Sequence, residues 1–373
     1  MTATERVIRG TRAPALAQEA HCFCQARRQH NIAIMSVAKL LEASRPLVVA
    51  EACDNHFGSV DRAFAMIDAA HAAGADVVKF QHHIARAEML KDLPLSDNFD
   101  ESLWEFLERC ALSVDDHVRV MAHCTERGIQ YLCTPFSIVA AHELHALGLR
   151  EFKIGSGELR DIWFLEQAAE IADHLILSTG MCTPEEIDAT VSAIGPRTRV
   201  SLMNCTSAYP TRHADVTLGM ISQLKQRYPQ LSIGHSDHTP DNYTCFGAVA
   251  LGATMVEKHF TLDRSLGGPD ASVSIEPDEL ADLVKGVRAI WEASHDEKRV
   301  RDSESPVRAW AYRSVVTTQA IAEGTTIGPE HICTKRPGTG IASADYRQVL
   351  GCVAKSDLGE NHMLGWDDLQ RPG

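Results

Sequence analysis

The sequence predicts an α/β protein: a (β/α)8 TIM barrel followed by a small β-rich domain. Apolar, β-branched runs of strand length alternate eight times with helical patterns before residue 300. An open doubly wound sheet can be built from the same units. Eight of them in about 250 residues with no GxGxxG turn favour a closed barrel. The polar residues that interrupt these runs gather at their C-terminal ends, where such a barrel concentrates its chemistry.

Residues 1–34 mix Arg, Ala, Gln and His without sustained periodicity. Residues 1–44 therefore read as an N-terminal extension, either a disordered arm or a leader ahead of a natural start at Met35. Strands are expected at 46–52, 76–83, 129–136, 151–158, 174–180, 198–207, 230–238 and 254–261. Between the first two, Ser59 caps a helical pattern over 60–70 that ends in Ala73-Gly74-Ala75. The last barrel helix begins at Pro277, with Asp278 and Glu279 in its first turn. The barrel domain spans 45–300, residues 301–312 form a linker, and 313–373 form the small domain. There Ile321, Gly324, Ile327, Gly328 and Ile332 recur thirty-seven positions on as Leu358, Asn361, Leu364, Gly365 and Leu369. Two similar halves imply a pseudo-twofold β module.

A formal net charge of −14 leaves no basic stripe to neutralise phosphates, which argues against nucleic acid as a partner. No apolar run approaches the ~20 residues of a membrane span, and the N-terminus lacks a signal-peptide h-region, so no membrane partner is expected. Eleven cysteines, an odd number without framework spacing, suit reduced thiols and a cytoplasmic protein. Cys22 and Cys24 are too close for an ordinary bridge and have no partner pair for zinc.

The strand ends carry Glu51, Lys79 and Gln81, Thr134, Lys153 with Ser156 and Glu158, Ser178, Ser207, Ser236, His238 and His259. Separate hydrogen-bond partners for so many buried polar groups are a heavier requirement than one shared pocket. His238 lies in Ser-Asp-His-Thr and His259 in Glu-Lys-His-Phe, each where an apolar strand leaves the core. Two imidazoles at neighbouring strand ends suit a divalent metal that keeps open positions for substrate oxygen. Read alone, either is as readily an ordinary core histidine. The rest of the strand-end set favours the ligand reading. Lys79 and Lys153 supply charge for an anionic substrate, with Thr134, Ser156, Ser178, Ser207 and Ser236 as hydroxyl donors. Glu51 and Glu158 are candidate carboxylates for moving protons, or plain structural acceptors.

Taken in order, the motifs resemble the sialic acid (N-acetylneuraminate) synthase family of nonulosonate synthases. They are Glu51…Asn55-His56-Phe57-Gly58, Val78-Lys79-Phe80-Gln81, Cys133-Thr134-Pro135-Phe136, Lys153…Glu158, Leu177-Ser178-Thr179-Gly180-Met181, Asn204…Pro210, Gly268-Pro269-Asp270 and Lys335-Arg336-Pro337-Gly338. The resemblance implies condensation of phosphoenolpyruvate with an N-acetylated hexosamine, N-acetylmannosamine first, and water, giving a nonulosonic acid and phosphate. It implies a manganese ion, with magnesium or cobalt as alternatives, on His238 and His259. There the ion would polarise the sugar aldehyde for attack by C3 of the enol, after which water adds at C2 and phosphate leaves by C–O cleavage. Sugar recognition falls by resemblance to Gln81, Tyr209, Asp270 and Arg336.

The small domain resembles the antifreeze-like (SAF) domain of that family. This implies a domain-swapped homodimer in which Arg336 reaches the neighbouring subunit's sugar. The chain departs from the bacterial N-acetylneuraminate synthases at Asn204 and Ser207, which implies a different sugar side of the pocket. It departs from many members at Gly267, a variation that resembles the branches making legionaminic or pseudaminic acid from a 2,4-diacetamido-2,4,6-trideoxyhexose. On the residues alone two other readings stay open. One is a metal-independent lysine Schiff-base aldolase, and the other is a non-catalytic sugar-binding protein.

Overall fold

The computed structural model describes residues 36–43, 45–91, 101–294 and 298–372. The chain forms two compact units, Met1–His295 and Asp296–Gly373. In the first, eight parallel strands follow the order of the expected runs. They are β1 (Leu47–Glu51), β2 (Val77–His82), β3 (Gln130–Pro135), β4 (Glu151–Ile154), β5 (His174–Ser178), β6 (Arg199–Cys205), β7 (Ser232–Asp237) and β8 (Met255–His259). The hydrogen-bonded ladder runs β3-β2-β1-β8-β7-β6-β5-β4, which brings the first and last strands together and leaves a nearly closed barrel. β4 is shorter than expected, because Gly155 turns the chain into a 3-10 turn at Ser156–Glu158.

Alternation along the strands sorts side chains into two sets. Leu47, Val49, Val77, Leu132, Ile176, Met203 and Met255 fill the base of the barrel interior. Val48, Ala50, Val78, Phe80 and their equivalents face the surrounding helices. On the inward face the next position up turns polar in strand after strand: Glu51, Lys79, Thr134, Ser178, Cys205 and Glu257. The chain therefore caps an apolar plug with a layer of functional groups.

The helices cover the outer face. In the helix Val60–Ala72, Ser59 accepts the Arg62 N–H, and Ala63, Met66, Ile67 and Ala70 form the buried stripe expected of 3.6-residue periodicity. Residues 36–43, counted in the sequence with the N-terminal extension, include a short helix (Val37–Leu40) that inserts Val37 beneath the barrel. Its Val37 and Ala38 N–H groups and the Ser36 hydroxyl donate to the Glu151 carboxylate. Burial opposes ionisation there, but His174 and these amides outweigh it and hold Glu151 below the usual carboxylate range. The expectations for residues 1–34 and Met35 lie outside the described residues.

Behind β2, His117 is fully buried. Its Nδ1 pairs with the Tyr131 hydroxyl at 2.7 Å and its Nε2 with His82 at 3.1 Å. Burial, reinforced by His82, pushes His117 well below the ordinary histidine value. The unfolded chain therefore binds a proton near pH 6.5 that the folded protein refuses, so stability from this group is present above that pH and falls as pH drops below it. His117→Gln is expected to flatten the slope of unfolding free energy by about 0.7 kcal/mol per pH unit at pH 6.5, rising to about 1.3 at pH 5, read from urea melts at each pH. An unchanged slope would move the acid sensitivity elsewhere.

In the second unit, β9 (Ser314–Thr317) pairs antiparallel with β10 (Ile332–Lys335), and β11 (Val353–Ala354) with β12 (Leu369–Gln370). The thirty-seven-residue repeat is visible in the pairing itself. The Ile332–Thr317 pair has its counterpart in Leu369–Ala354, and the Val316–Met363 bridge in Thr326–Val353. Ile321 and Leu358, equivalent to each other, exchange both backbone hydrogen bonds at 2.8 Å across the pseudo-axis. Gly324 and Asn361, also equivalent, both take a positive φ, which explains why the second copy carries the side chain best tolerated there. Ile321, Ile327, Leu358, Leu364 and Leu369 form the core. Residues 301–312, a linker on sequence grounds, contain a helix at Ser305–Ala311.

Candidate active site

At the C-terminal end of the barrel lies a cavity of about 360 Å³. It is lined by the barrel residues given a catalytic, binding or metal role on sequence grounds: Glu51, Lys79, Gln81, Thr134, Lys153, Ser156, Glu158, Ser178, Ser207, Tyr209, Ser236, His238, His259 and Asp270. Arg336 belongs to the second unit. There its Nε donates to the Ala311 carbonyl at 3.1 Å, and its guanidinium lies over Trp310, 5.3 Å from the ring centre.

The floor is a four-charge cluster. Lys79 Nζ lies 2.7 Å from Glu51 Oε2 and donates to Thr134 at 3.1 Å, while Lys153 Nζ donates to Ser178 at 2.6 Å. Between the two ammonium groups sits Glu257, 3.5 Å from Lys79 and 3.6 Å from Lys153, accepting from Ser236 at 3.2 Å. Burial works against its charge, but the two lysines outweigh it and hold Glu257 below its ordinary value. Sequence reading left Glu257 out. Its signal was the strand period, since it stands two residues before His259 and so faces the same way.

Burial raises Glu51 to about 7, with Lys79 opposing and Glu257 adding to the rise. Gln81 Nε2 donates to Glu51 at 2.8 Å, fixing one carboxylate oxygen. Glu158 is raised by burial, and its Oε2 is buried without a hydrogen-bond partner. Across the floor, the Gly180 N–H donates to Ser156, and a Cβ on Gly180 would collide with the Ser156 and Ser207 hydroxyls. This glycine keeps open the space into which several donors point.

On the far wall the rings of His238 and His259 have centres 5.2 Å apart. His238 Nδ1 lies 2.8 Å from the Thr206 carbonyl. A carbonyl only accepts, so Nδ1 carries a proton. Burial opposes charge on the ring, but Cys205 and the Thr206 hydrogen bond outweigh it and hold His238 above its ordinary value. The neutral form that a metal binds keeps its lone pair on Nε2. Burial, then His238 and the nearby lysines, push His259 well below its usual value, which leaves it as the neutral imidazole that metals bind. Its Nδ1 is buried without a hydrogen-bond partner, 3.7 Å from Asp270 Oδ2. Cys53, His259 and Asp270 present ligand atoms all within 4.8 Å of one another. These donors fit a divalent cation. Cys53 was not foreseen: it lies past the end of β1 in a turn with a positive φ, where strand alternation no longer tells which way a side chain points. Asp270, expected as a sugar ligand, turns toward His259.

The NeuB family profile matches residues 66–299, and the SAF domain profile matches 312–370. The chain is 34% identical to the N,N'-diacetyllegionaminic acid synthase of Campylobacter jejuni, over 86% of this chain and 99% of that protein. It is also 34% identical to the protein of that name from Legionella pneumophila, over 87% and 94%. Among solved structures it is similar to the N-acetylneuraminic acid synthetase of Leptospira borgpetersenii, determined with citrate, at TM-score 0.64 and 31% identity over 71% of this chain and 90% of that one.

Proposed function

This chain belongs to the NeuB family of phosphoenolpyruvate-dependent nonulosonate synthases, and we propose that its acceptor is a 2,4-diacetamido-2,4,6-trideoxyhexose, giving a legionaminic-type acid. The reading is carried by the two diacetyllegionaminic acid synthases at 34% identity over nearly their whole length. N-acetylmannosamine, the first expectation from sequence, becomes the alternative.

In this proposal Lys79 and Lys153 hold the phosphoenolpyruvate anion, with hydroxyls of Thr134, Ser156, Ser178, Ser207 and Ser236 completing its hydrogen bonds. A divalent metal, manganese first and magnesium or cobalt otherwise, would be held by His238 and His259 and, when bound, supplies Lewis acidity for the acceptor aldehyde. Gln81 and Lys79 hold Glu51 in place, and a value near 7 lets its carboxyl carry or release a proton at neutral pH. Glu158, with one oxygen free of partners, is the group placed to take a hydrogen bond from the attacking water. Tyr209 lies tilted against His238 with ring centres 4.2 Å apart, and with Asp270 it faces the acceptor. Among the described residues no helix is long and apolar enough to cross a membrane; a cytoplasmic reaction belongs to the proposal.

The test is phosphate release from phosphoenolpyruvate with N-acetylmannosamine, its 6-phosphate and the two diacetamido-trideoxyhexoses. The largest kcat/KM is expected with a diacetamido sugar. Trapping of pyruvate on a lysine by borohydride, without phosphate release, would instead establish a Schiff-base aldolase.

The proposal includes a homodimer in which the partner's Arg336 donates to the acceptor's acetamido group. Arg336→Ala is expected to cost about a hundredfold in kcat/KM, the upper range for a charge-assisted hydrogen bond. Mixing Arg336→Ala with His259→Ala subunits should then restore activity to about one quarter of wild type, because random exchange makes half the dimers mixed, each with one intact site. Subunit exchange confirmed by mass spectrometry without recovery would remove Arg336 from the partner's site.

A further inference from the structure

A second cavity of about 330 Å³ adjoins the first, and Gln81, Phe136, Glu158 and Asp270 line both. Its own walls come from two segments. Met89, Leu103, Phe106 and Leu107, at and after the helix Ala85–Glu88 and on the helix Leu103–Cys110, make one side apolar. Asp54, His83 and Glu88 make the other side polar. No lysine or arginine lines it among the described residues.

The polar side has a fixed set of partners. His83 is buried and stacked on Phe136, with ring centres 4.2 Å apart. Its Nδ1 pairs with Glu88 and its Nε2 with Gln81 Oε1, both at 2.9 Å. Both ring nitrogens are therefore occupied, and neither can bind a phosphate. Gln81 in turn donates through Nε2 to Glu51, so the chain Glu88–His83–Gln81–Glu51 ties this cavity to the reacting centre. Asp54 lies 3.5 Å from His83 through Oδ2, while its buried Oδ1 has no hydrogen-bond partner. That oxygen lies 3.9 Å from His56 Nε2.

We propose that this second cavity receives the far end of the acceptor sugar. It takes an uncharged end with an apolar methyl against Met89 and Leu103 and an amide N–H or hydroxyl toward Asp54. It rejects an end carrying phosphate. The proposal rests on reading the adjoining cavity as a nonulosonate synthase site. The carboxylates of Asp54, Glu88, Glu158 and Asp270 outnumber the one cation that lines the cavity, His83 with both ring nitrogens on acceptors, so like charge makes a phosphate dianion unwelcome. The apolar wall favours a 6-deoxy, 4-acetamido end over a 6-hydroxymethyl, 4-hydroxy end.

Phosphate release by the full-length protein is measured with phosphoenolpyruvate and the same four acceptors. Wild type should prefer the better diacetamido sugar over N-acetylmannosamine, and should use the 6-phosphate at least about a hundredfold less well. Met89→Ser should lower kcat/KM for the diacetamido sugar about tenfold. It should change N-acetylmannosamine less than about threefold and leave the phosphoenolpyruvate KM in place. Leu103→Lys should raise use of the 6-phosphate about tenfold and lower use of the diacetamido sugar. Unchanged acceptor ranking in both variants, with normal phosphoenolpyruvate KM, overturns the subsite and leaves the synthase reading standing. No phosphate from wild type with any acceptor overturns the synthase reading first.

Discussion

His259→Ala should abolish turnover, with kcat lowered at least about a thousandfold, a loss of about 4 kcal/mol in transition-state stabilisation. The variant removes a neutral, buried imidazole whose functional neighbours are His238, Asp270 and Cys53, and with it one of the two nitrogens proposed to hold the divalent cation. Manganese titration followed by electron paramagnetic resonance should show the same loss, independently of activity. Thermal stability without added metal should fall only modestly, because His259 sits above the apolar plug and one of its ring nitrogens makes no hydrogen bond. Near wild-type turnover after manganese is supplied would move the metal elsewhere.

Lys79→Met should be as damaging to phosphoenolpyruvate use, with kcat/KM down about a thousandfold or more. The side chain is nearly isosteric, so the loss is mainly charge: Lys79 lies 2.7 Å from Glu51 and 3.5 Å from Glu257. These carboxylates hold Lys79 above the ordinary lysine range against the cost of burial, so it is an ammonium throughout the working pH range. Removing it also leaves the two carboxylates facing each other in a dry site, a cost of about 3–5 kcal/mol that should appear in urea melts. Adding Glu51→Gln should return part of that stability without returning activity. A Lys79→Met enzyme with unchanged phosphoenolpyruvate KM would overturn the assignment of the anion site.

Much of this site was legible because a strand shows its faces at every second residue. Glu51, Lys79, Thr134 and Ser178 each stand two residues after an apolar inward residue, Val49, Val77, Leu132 and Ile176, so their inward direction follows from counting. The same count reaches Cys205 and Glu257. They were passed over because a lone cysteine or glutamate near a strand end has an ordinary explanation until its neighbours are known. Glu257 acquires a role only when β1, β2 and β4 bring Lys79 and Lys153 to either side of it. The helices at Val37–Leu40 and Ser305–Ala311 were missed for a related reason: they are short, and a few residues carry too little periodicity to register.

Taken by itself, the sequence determined the alternation that builds eight parallel strands, the set of polar groups at their ends, and the thirty-seven-residue repeat that pairs Ile321 with Leu358. Each is a local property of spacing, set by the two-residue period of a strand or the matching of two halves. Tertiary structure alone decided the contacts among groups far apart in the chain. It placed Glu257 between two lysines, turned Asp270 and Cys53 toward His259, and brought Met89, Leu103 and Asp54 to the lining of a second cavity. The physical reason is that charge balance and cavity shape depend on distances of a few ångströms between strands and loops, and closure of the barrel sets those distances.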